Sequence, residues 1–362
     1  MAKNIVLCCD GTSNQVSQDS TNVLKISLAV KKEREKQLVY YHPGIGTRVP
    51  IGTNSVLGGA YRKALALAFG SGIKADIADA YVYLMNHFRP GDRIYMFGFS
   101  RGAYTVRALA GMLRVYGLAL PGNEALVPYA VDALWKFREA LQHRRVGEFF
   151  HQAKLFREAV AADPCVPHFL GLWDTVSSVG WIGSPTVLPY TRRNLDRTII
   201  RHAIALDERR AFFRANLFDE NVGSDLQQVW FPGCHADIGG GLPERDSALS
   251  KYPLEWVANE AKIAGLKFDD EKLAEILGKS GQVYVRAAPM APNESLVGIW
   301  RAAEFVPKRK YDPDKRKLGW RLNLHRRRFV PSSPCVHDAA WEIDGYQGRI
   351  PENAVPLSRK VW

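Results

Sequence analysis

The stretch Tyr95-Met96-Phe97-Gly98-Phe99-Ser100-Arg101-Gly102-Ala103 constrains this chain more than any other. An apolar run enters it, and a helix-like run from Tyr104 to Leu113 leaves it. Between them the chain reads Gly-x-Ser-x-Gly. The pattern predicts a strand, a sharp turn and a helix, with the serine forced out of the turn above the strand end. Gly98 and Gly102 remove side chains that would collide with the neighbouring strand and helix. The turn would aim backbone N–H groups, and the positive end of the helix, at any oxyanion forming beside Ser100. Pro90-Gly91-Asp92 supplies a turn before it, and Arg93 to Phe97 a strand-like run. A plain strand–turn–helix with an idle serine is the competing reading, and this context argues against it.

The rest of the first third alternates strand and helix. Asn4 to Cys9 is a short apolar run, as expected of a buried parallel strand. It ends in the polar loop Asp10-Gly11-Thr12-Ser13-Asn14. Asn22 to Lys32 reads as an amphipathic helix and Gln37 to Tyr41 as a strand ending in His42-Pro43-Gly44. Tyr61 to Phe69 and Asp76 to Phe88 read as helices. This alternation implies a parallel sheet, whose sites form at the carboxyl ends of its strands. The loops at Asp10, His42 and Ser100 therefore belong on one rim.

Pro121 to Pro164 breaks the rhythm with two helix-like runs, Val127 to Arg138 and Gly147 to Ala162, and is expected to cap the rim. Strand-like runs return at Pro167 to Trp173, Thr198 to Leu206 and Gln227 to Phe231, the last clear one. A helix follows from Leu254 to Ala264. The expected organisation is an α/β-hydrolase-like fold over 1–265, with a mostly parallel sheet flanked by helices and a helical cap insertion over 120–165. An irregular basic extension, 266–362, would pack on the same domain. Its clusters Lys308-Arg309-Lys310, Lys315-Arg316-Lys317 and Arg326-Arg327-Arg328 read first as a solvated face.

A serine hydroxyl needs a base to take its proton and a carboxylate to orient that base. In this fold the partners follow the serine, acid before histidine. His235 fits, because it follows the last strand in the glycine-rich loop Pro232 to Gly241. His337, in Cys335-Val336-His337-Asp338, is the alternative base, with no strand leading into it as plainly. His42 precedes the serine, and His202 lies inside a strand where it packs. Asp174 ends one strand and is favoured as the acid, with Thr175 able to hold its loop. Asp207 ends the next strand and is the alternative. Asp237 lies too close to His235 in sequence to orient it and is read as a loop support. The oxyanion donors would be the N–H of Arg101 and an amide from the Gly11-Thr12 loop.

Composition narrows the alternatives. The net charge of +12 and pI near 9.4 favour contact with an anionic surface, lipid headgroups or nucleic acid, without choosing between them. Five cysteines in 362 residues make no disulfide framework, and nothing spaces them as metal ligands. The amino terminus does not read as a signal peptide, and no apolar run is long enough for a transmembrane helix. Synthesis in the cytoplasm is expected, with export by an uncleaved route left open. Asp10-Gly11-Thr12 resembles one phosphatase motif, but Cys8 stands where the nucleophilic aspartate would be, and no Gly-x-x-x-x-Gly-Lys-Ser/Thr loop occurs.

Taken together, Asp10 to Asn14, Tyr40 to Thr47, Gly98 to Tyr104, Leu172 to Val176 and Phe231 to Gly241 resemble a bacterial α/β-hydrolase family that includes the lipase effectors of type VI secretion. The resemblance implies hydrolysis of phospholipid acyl esters by a Ser-Asp-His triad: Ser100 as nucleophile, His235 as base and Asp174 as acid. It implies no cofactor and no metal. The chain departs from the family at His42, where an acidic residue is expected before Pro-Gly, and the long membrane-docking region of the larger effectors is not expected within it. The expected partners are an acyl-ester or phospholipid substrate and, peripherally, an anionic membrane, with nucleic acid disfavoured. A non-enzymatic binding module on the same fold, and a thioesterase or peptidase with the same triad, are the other readings.

Overall fold

The structure, a computed structural model, describes residues 2–11, 19–44, 72–160, 162–176, 180–181, 184–185, 188–192, 195–219, 225–298, 300–301, 304–305, 308–312 and 317–360. The expected helix at 61–69, Thr12, and Lys315 with Arg316 lie outside these residues.

Asn4–Cys9 forms β1, Asn22–Ala29 α1, Gln37–His42 β2, Ile73–His87 α2, Arg93–Phe99 β3 and Arg101–Tyr116 α3. Residues along the strands alternate between two cores, as period-two geometry requires. Ile5, Leu7, Ile94 and Met96 pack with Ile77, Leu84, Leu109 and Leu113 of α2 and α3. Val6, Cys8, Tyr95 and Phe97 pack on the other face with Val23 and Ile26 of α1. Burial on both faces explains the unbroken apolar runs. α1 stops at Ala29, short of the expected Lys32, because Val30 turns extended and pairs with Phe268.

The helical insertion comprises α4 (Val127–Trp135), α5 (Phe137–Gln142) and α6 (Val146–Ala159). The long run expected to Arg138 is therefore broken at Lys136. The insertion leans on the flanking helices: Phe149 meets Tyr116, Arg157 donates to the carbonyl of Val115, and Lys74 pairs with Asp132 at 2.7 Å. The insertion thus packs along α2 and α3.

Phe169–Trp173 is β4; Gly180–Trp181 and Ser184–Pro185, β5 and β6, form a short antiparallel ribbon. Ile199–Ala205 is β7 and Asp225–Phe231 is β8. α7 (His235–Gly239) and α8 (Ala248–Ile263) follow, then α9 (Asp270–Ile276). Lys308–Asp312 and Lys317–Arg321, β9 and β10, pair antiparallel, and β9 carries the basic cluster Lys308-Arg309-Lys310. Two further strands correct the expectation that β8 is the last: Cys335–Val336, β11, pairs with β8, and Val355–Pro356, β12, pairs with β11. At two residues each they are too short to show a period in sequence. The main sheet has eight parallel strands in the order β12-β11-β8-β7-β4-β3-β1-β2. The chain leaves β1 toward β2 on one side and β3 on the other. The reversal sets the loops after β1 and β3 side by side, where open α/β sheets bind ligands. Among the described residues no helix is long and apolar enough to cross a membrane.

Candidate active site

Strand register does most of the positioning. Phe99 pairs with Trp173, and Trp173 with Ala203. The next residues along β3 and β4, Ser100 and Asp174, therefore stand level at the carboxyl rim. The Ser100 amide donates to the Trp173 carbonyl at 3.0 Å, and the Asp174 amide to the Ala203 carbonyl at 2.7 Å. Both residues sit at positive φ, 59° and 40°. Such backbone costs about 1–3 kcal/mol for a residue with a Cβ. It turns each side chain out of its strand. α3 begins at Arg101, earlier than the expected Tyr104, so Ser100 occupies its N-cap without making a side-chain cap bond.

The glycines have steric reasons. A Cβ on Gly102 would lie 2.0 Å from the Cys9 carbonyl oxygen, and one on Gly44 2.1 Å from that of Gly11. The Asp10–Gly11 loop is pinched between them.

His235 reaches the serine from the loop after β8. Its Nε2 is 2.8 Å from Ser100 Oγ, and its Nδ1 is 2.5 Å from Asp174 Oδ2. The ring lies between Phe99 and Phe213, at centroid distances of 4.6 and 4.8 Å. Burial lowers the imidazole pKa below its ordinary 6.5, against the opposing pull of Asp174. The ring is therefore neutral at neutral pH. Its Nδ1–H faces the carboxylate, and Nε2 is left to accept from the serine.

Asp174 is fully buried, and burial alone would raise its pKa. The Arg328 charge and the His235 hydrogen bond outweigh that and hold it well below the usual carboxylate range. Its Oδ1 also accepts from the Ala205 amide at 3.0 Å. Below it, the Thr175 amide donates to Nε2 of His202 at 3.3 Å, and burial drops the His202 pKa to about 3. His202 is a neutral packing residue, as its place inside a strand suggested. The buried Thr175 hydroxyl makes no hydrogen bond among the described residues, so it is the backbone of Thr175 that secures the turn.

The alternatives are put to other uses. Asp207 Oδ2 accepts from the Gly233 amide at 2.8 Å and from the Tyr346 hydroxyl, bracing the loop ahead of His235. The ring of His337 stacks on Phe231 at 4.7 Å, and burial lowers its pKa to about 4. Contrary to expectation a strand, β11, does lead into His337. Asp237 accepts from the Cys234 amide at 2.9 Å and from Asn293, as a loop support should. The expectation that Gly11 offers its amide to an oxyanion is not met: that N–H donates to Asp10 Oδ1 at 2.6 Å. Arg101 keeps its place at the open amino end of α3. His42 Nε2 lies 3.7 Å from carboxylate oxygens of both Asp76 and Asp79. All five cysteines are buried and free. Among the described residues no three His, Cys, Asp or Glu side chains gather as a metal set.

A family model described as the catalytic domain of Tle1-like phospholipase effectors of type VI secretion matches residues 3–260. The chain belongs to this Tle1-like family. The uncharacterized yeast protein YEL023C, from Saccharomyces cerevisiae, is 38% identical over 228 residues, covering 60% of this chain and 33% of its own. Among solved structures, an uncharacterized protein from Pseudomonas aeruginosa aligns with TM-score 0.43 at 18% identity, over 74% of this chain and 46% of that one. A Tle1 effector bound to the VgrG spike aligns with TM-score 0.38 at 17% identity, over 66% and 51%. The chain thus spans about a third of its yeast relative and about half of these structures.

Three further charged groups at the site carry little signal in the sequence. Glu208 is buried, pairs with Arg210 at 2.8 Å and accepts the His235 amide at 3.2 Å. Arg210 in turn stacks on Phe213. Arg328 was read as part of a solvated basic face, yet its side chain is 7% exposed and contacts Asp174. The only sequence signal for Glu208 was its place one residue past Asp207 at a strand end. Arg328 had none that set it apart from Arg326 and Arg327.

Proposed function

We propose that this protein is a serine hydrolase that cleaves the acyl esters of phospholipids, with Ser100, His235 and Asp174 as its triad. The observation that carries the reading is the unbroken relay from Ser100 Oγ through the His235 ring to the Asp174 carboxylate. Membership of a phospholipase effector family supports the lipid ester as substrate.

In this reading His235 Nε2 takes the hydroxyl proton as Ser100 Oγ attacks the ester carbonyl carbon. Asp174 stabilises the imidazolium that forms. The tetrahedral oxyanion is held by the Arg101 amide and the positive end of α3, a sixteen-residue helix. As the carbon–oxygen bond to the leaving alcohol breaks, His235 hands it the proton. Water, deprotonated by the same imidazole, then attacks the acyl-enzyme. The fatty acid leaves and Ser100 regains its proton.

The surface beside the site suits an anionic bilayer. Leu324 and Phe329 are 50% and 83% exposed, and they flank exposed Arg326 and Arg327. Each arginine near an anionic leaflet adds about 1 kcal/mol of attraction. The apolar side chains would enter the headgroup layer.

The test is fluorophosphonate labelling together with fatty-acid release from phosphatidylglycerol vesicles. The expected result is one adduct on native protein, absent in Ser100→Ala, and release that fails in the same variant. Native protein without an adduct, or an adduct that survives Ser100→Ala, overturns the reading.

A further inference from the structure

Arg328 comes from the segment beyond the family-matched residues 3–260, yet it meets the innermost charge of the site. Its guanidinium forms a two-pronged pair with Asp174: Nη1 to Oδ1 at 2.5 Å and Nη2 to Oδ2 at 2.9 Å. The far side of the same group donates to the Phe213 carbonyl, from Nε at 2.8 Å and also from Nη2. The plane of the guanidinium is therefore fixed from two directions. A lysine ammonium has no such fork.

Asp174 Oδ2 is the oxygen that also accepts from His235 Nδ1. The arginine thus sets which way the carboxylate faces the imidazole. It reaches the ring by a second route as well. Phe213, whose carbonyl it holds, packs its own ring edgewise on His235. The segment carrying Arg328 is itself stapled down. Asn323 donates to the Arg209 carbonyl at 2.8 Å. The buried Glu304 accepts from the His325 amide at 3.1 Å and from the Ala211 amide at 2.7 Å. Two walls of the base, the acid and the aromatic, hang on one side chain of the extension.

We propose that Arg328 is a positioning residue for the Asp174–His235 pair, fixing the carboxylate and the Phe213 wall and balancing the carboxylate's charge. This rests on the triad reading above. A surface-facing arginine would leave the titration of that pair alone, and a purely structural one would leave kcat alone. A positioning arginine governs both. Removing a neighbouring cation makes the coupled pair bind its proton more tightly, so the pH at which the base becomes available rises.

The experiment measures kcat and KM against pH on a soluble short-chain p-nitrophenyl ester, for wild type, R328Q and R328K, with melting curves for each. R328Q is expected to lower kcat by about 10- to 100-fold through misalignment of the base, with KM little changed. Its acidic limb should move up by about one pH unit. R328K should bring the limb back toward wild type while kcat stays low, because it restores charge and not the fork. Arg114→Gln, at an exposed pair with Asp196, should leave all three readouts unchanged.

R328Q with wild-type kcat and limb overturns the inference. So does a lowered melting temperature with wild-type kcat, the signature of a structural ion pair. If R328Q does not fold, R328K decides alone, and wild-type kcat in R328K overturns the proposal. Wild-type protein that takes no fluorophosphonate overturns the triad reading itself, a failure distinct from an active, labelled enzyme indifferent to Arg328.

Discussion

The Ser100 amide and the Trp173 carbonyl form the last rung between β3 and β4, at 3.0 Å, and it is the rung that sets Ser100 level with Asp174. Making it while projecting the hydroxyl requires φ of 59° at Ser100, a conformation that glycine adopts freely. The site therefore stores strain at the residue proposed as nucleophile. Ser100→Gly is expected to be at least as stable as wild type, with up to about 1 kcal/mol gained, and inactive. Ser100→Ala keeps the Cβ, so it should be inactive without the gain. Urea denaturation of the three proteins checks this, and Ser100→Gly less stable than Ser100→Ala would contradict it.

Acid should weaken the fold earlier than carboxylate protonation alone explains. His202 and His337 are buried, with pKa values lowered by burial to about 3 and about 4, and His235 is lowered too. Unfolded histidine titrates near 6.5. Below that pH the unfolded chain binds protons that the folded chain refuses, so stability falls as pH drops. Each such histidine contributes a slope of up to about 1.4 kcal/mol per pH unit between 6.5 and its folded value. Asp174 works in the same direction at lower pH: its folded pKa is depressed, so its stabilisation is full above the unfolded value and lost as pH falls below it. Urea midpoints at pH 7, 6 and 5 should fall steadily, and His202→Gln should flatten part of that fall. A midpoint flat across this range speaks against it.

Much of the fold was readable because buried parallel strands announce themselves. Asn4–Cys9, Arg93–Phe99 and Phe169–Trp173 are apolar on both faces, and each ends in a polar or glycine loop. Ser100 and Asp174 stood out because each directly follows such a strand end, and His235 because it lies in the glycine-rich loop after β8. What sequence could not separate was one arginine from its neighbours. Arg326, Arg327 and Arg328 are chemically alike, and only the fold decides that the third turns inward to Asp174. Nor did β11 and β12 show, since two residues carry no periodicity. Strand-end position and chain order do not separate Asp174 from Asp207, since both end a strand and both precede His235; contact with the His235 ring does.

Gly102 should tolerate no side chain. A Cβ there would meet the Cys9 carbonyl oxygen at 2.0 Å and the Asp10 carbonyl oxygen at 2.5 Å. Both are backbone atoms at the end of a central strand, so neither can yield cheaply. Relief would push α3 away from β1, and with it the amide of Arg101. Gly102→Ala is expected to cost about 3 kcal/mol. Activity should fall by more than the unfolded fraction explains. Thermal melts paired with fluorophosphonate labelling rates measure the two losses separately. A Gly102→Ala protein with wild-type melting and labelling would mean that the turn is looser than its geometry.

The two strand-end aspartates make opposite predictions when each loses its charge. Asp174 touches His235 Nδ1 at 2.5 Å, so Asp174→Asn leaves the ring a partner that can present an N–H instead of an acceptor. The wrong tautomer then faces Ser100. In a comparable triad the same exchange costs about 10⁴ in kcat. Asp207 touches no part of that ring. It holds the Gly233 amide and the Tyr346 hydroxyl, and thereby ties β11's following segment to the loop that carries the histidine. Asp207→Asn loses acceptor capacity and should cost about 1–3 kcal/mol of stability. Its kcat should fall by far less than that of Asp174→Asn. Tyr346→Phe should reproduce part of the stability loss. Parallel melts and kcat measurements decide, and a kcat collapse in Asp207→Asn with Asp174→Asn near wild type would reverse the assignment of the acid.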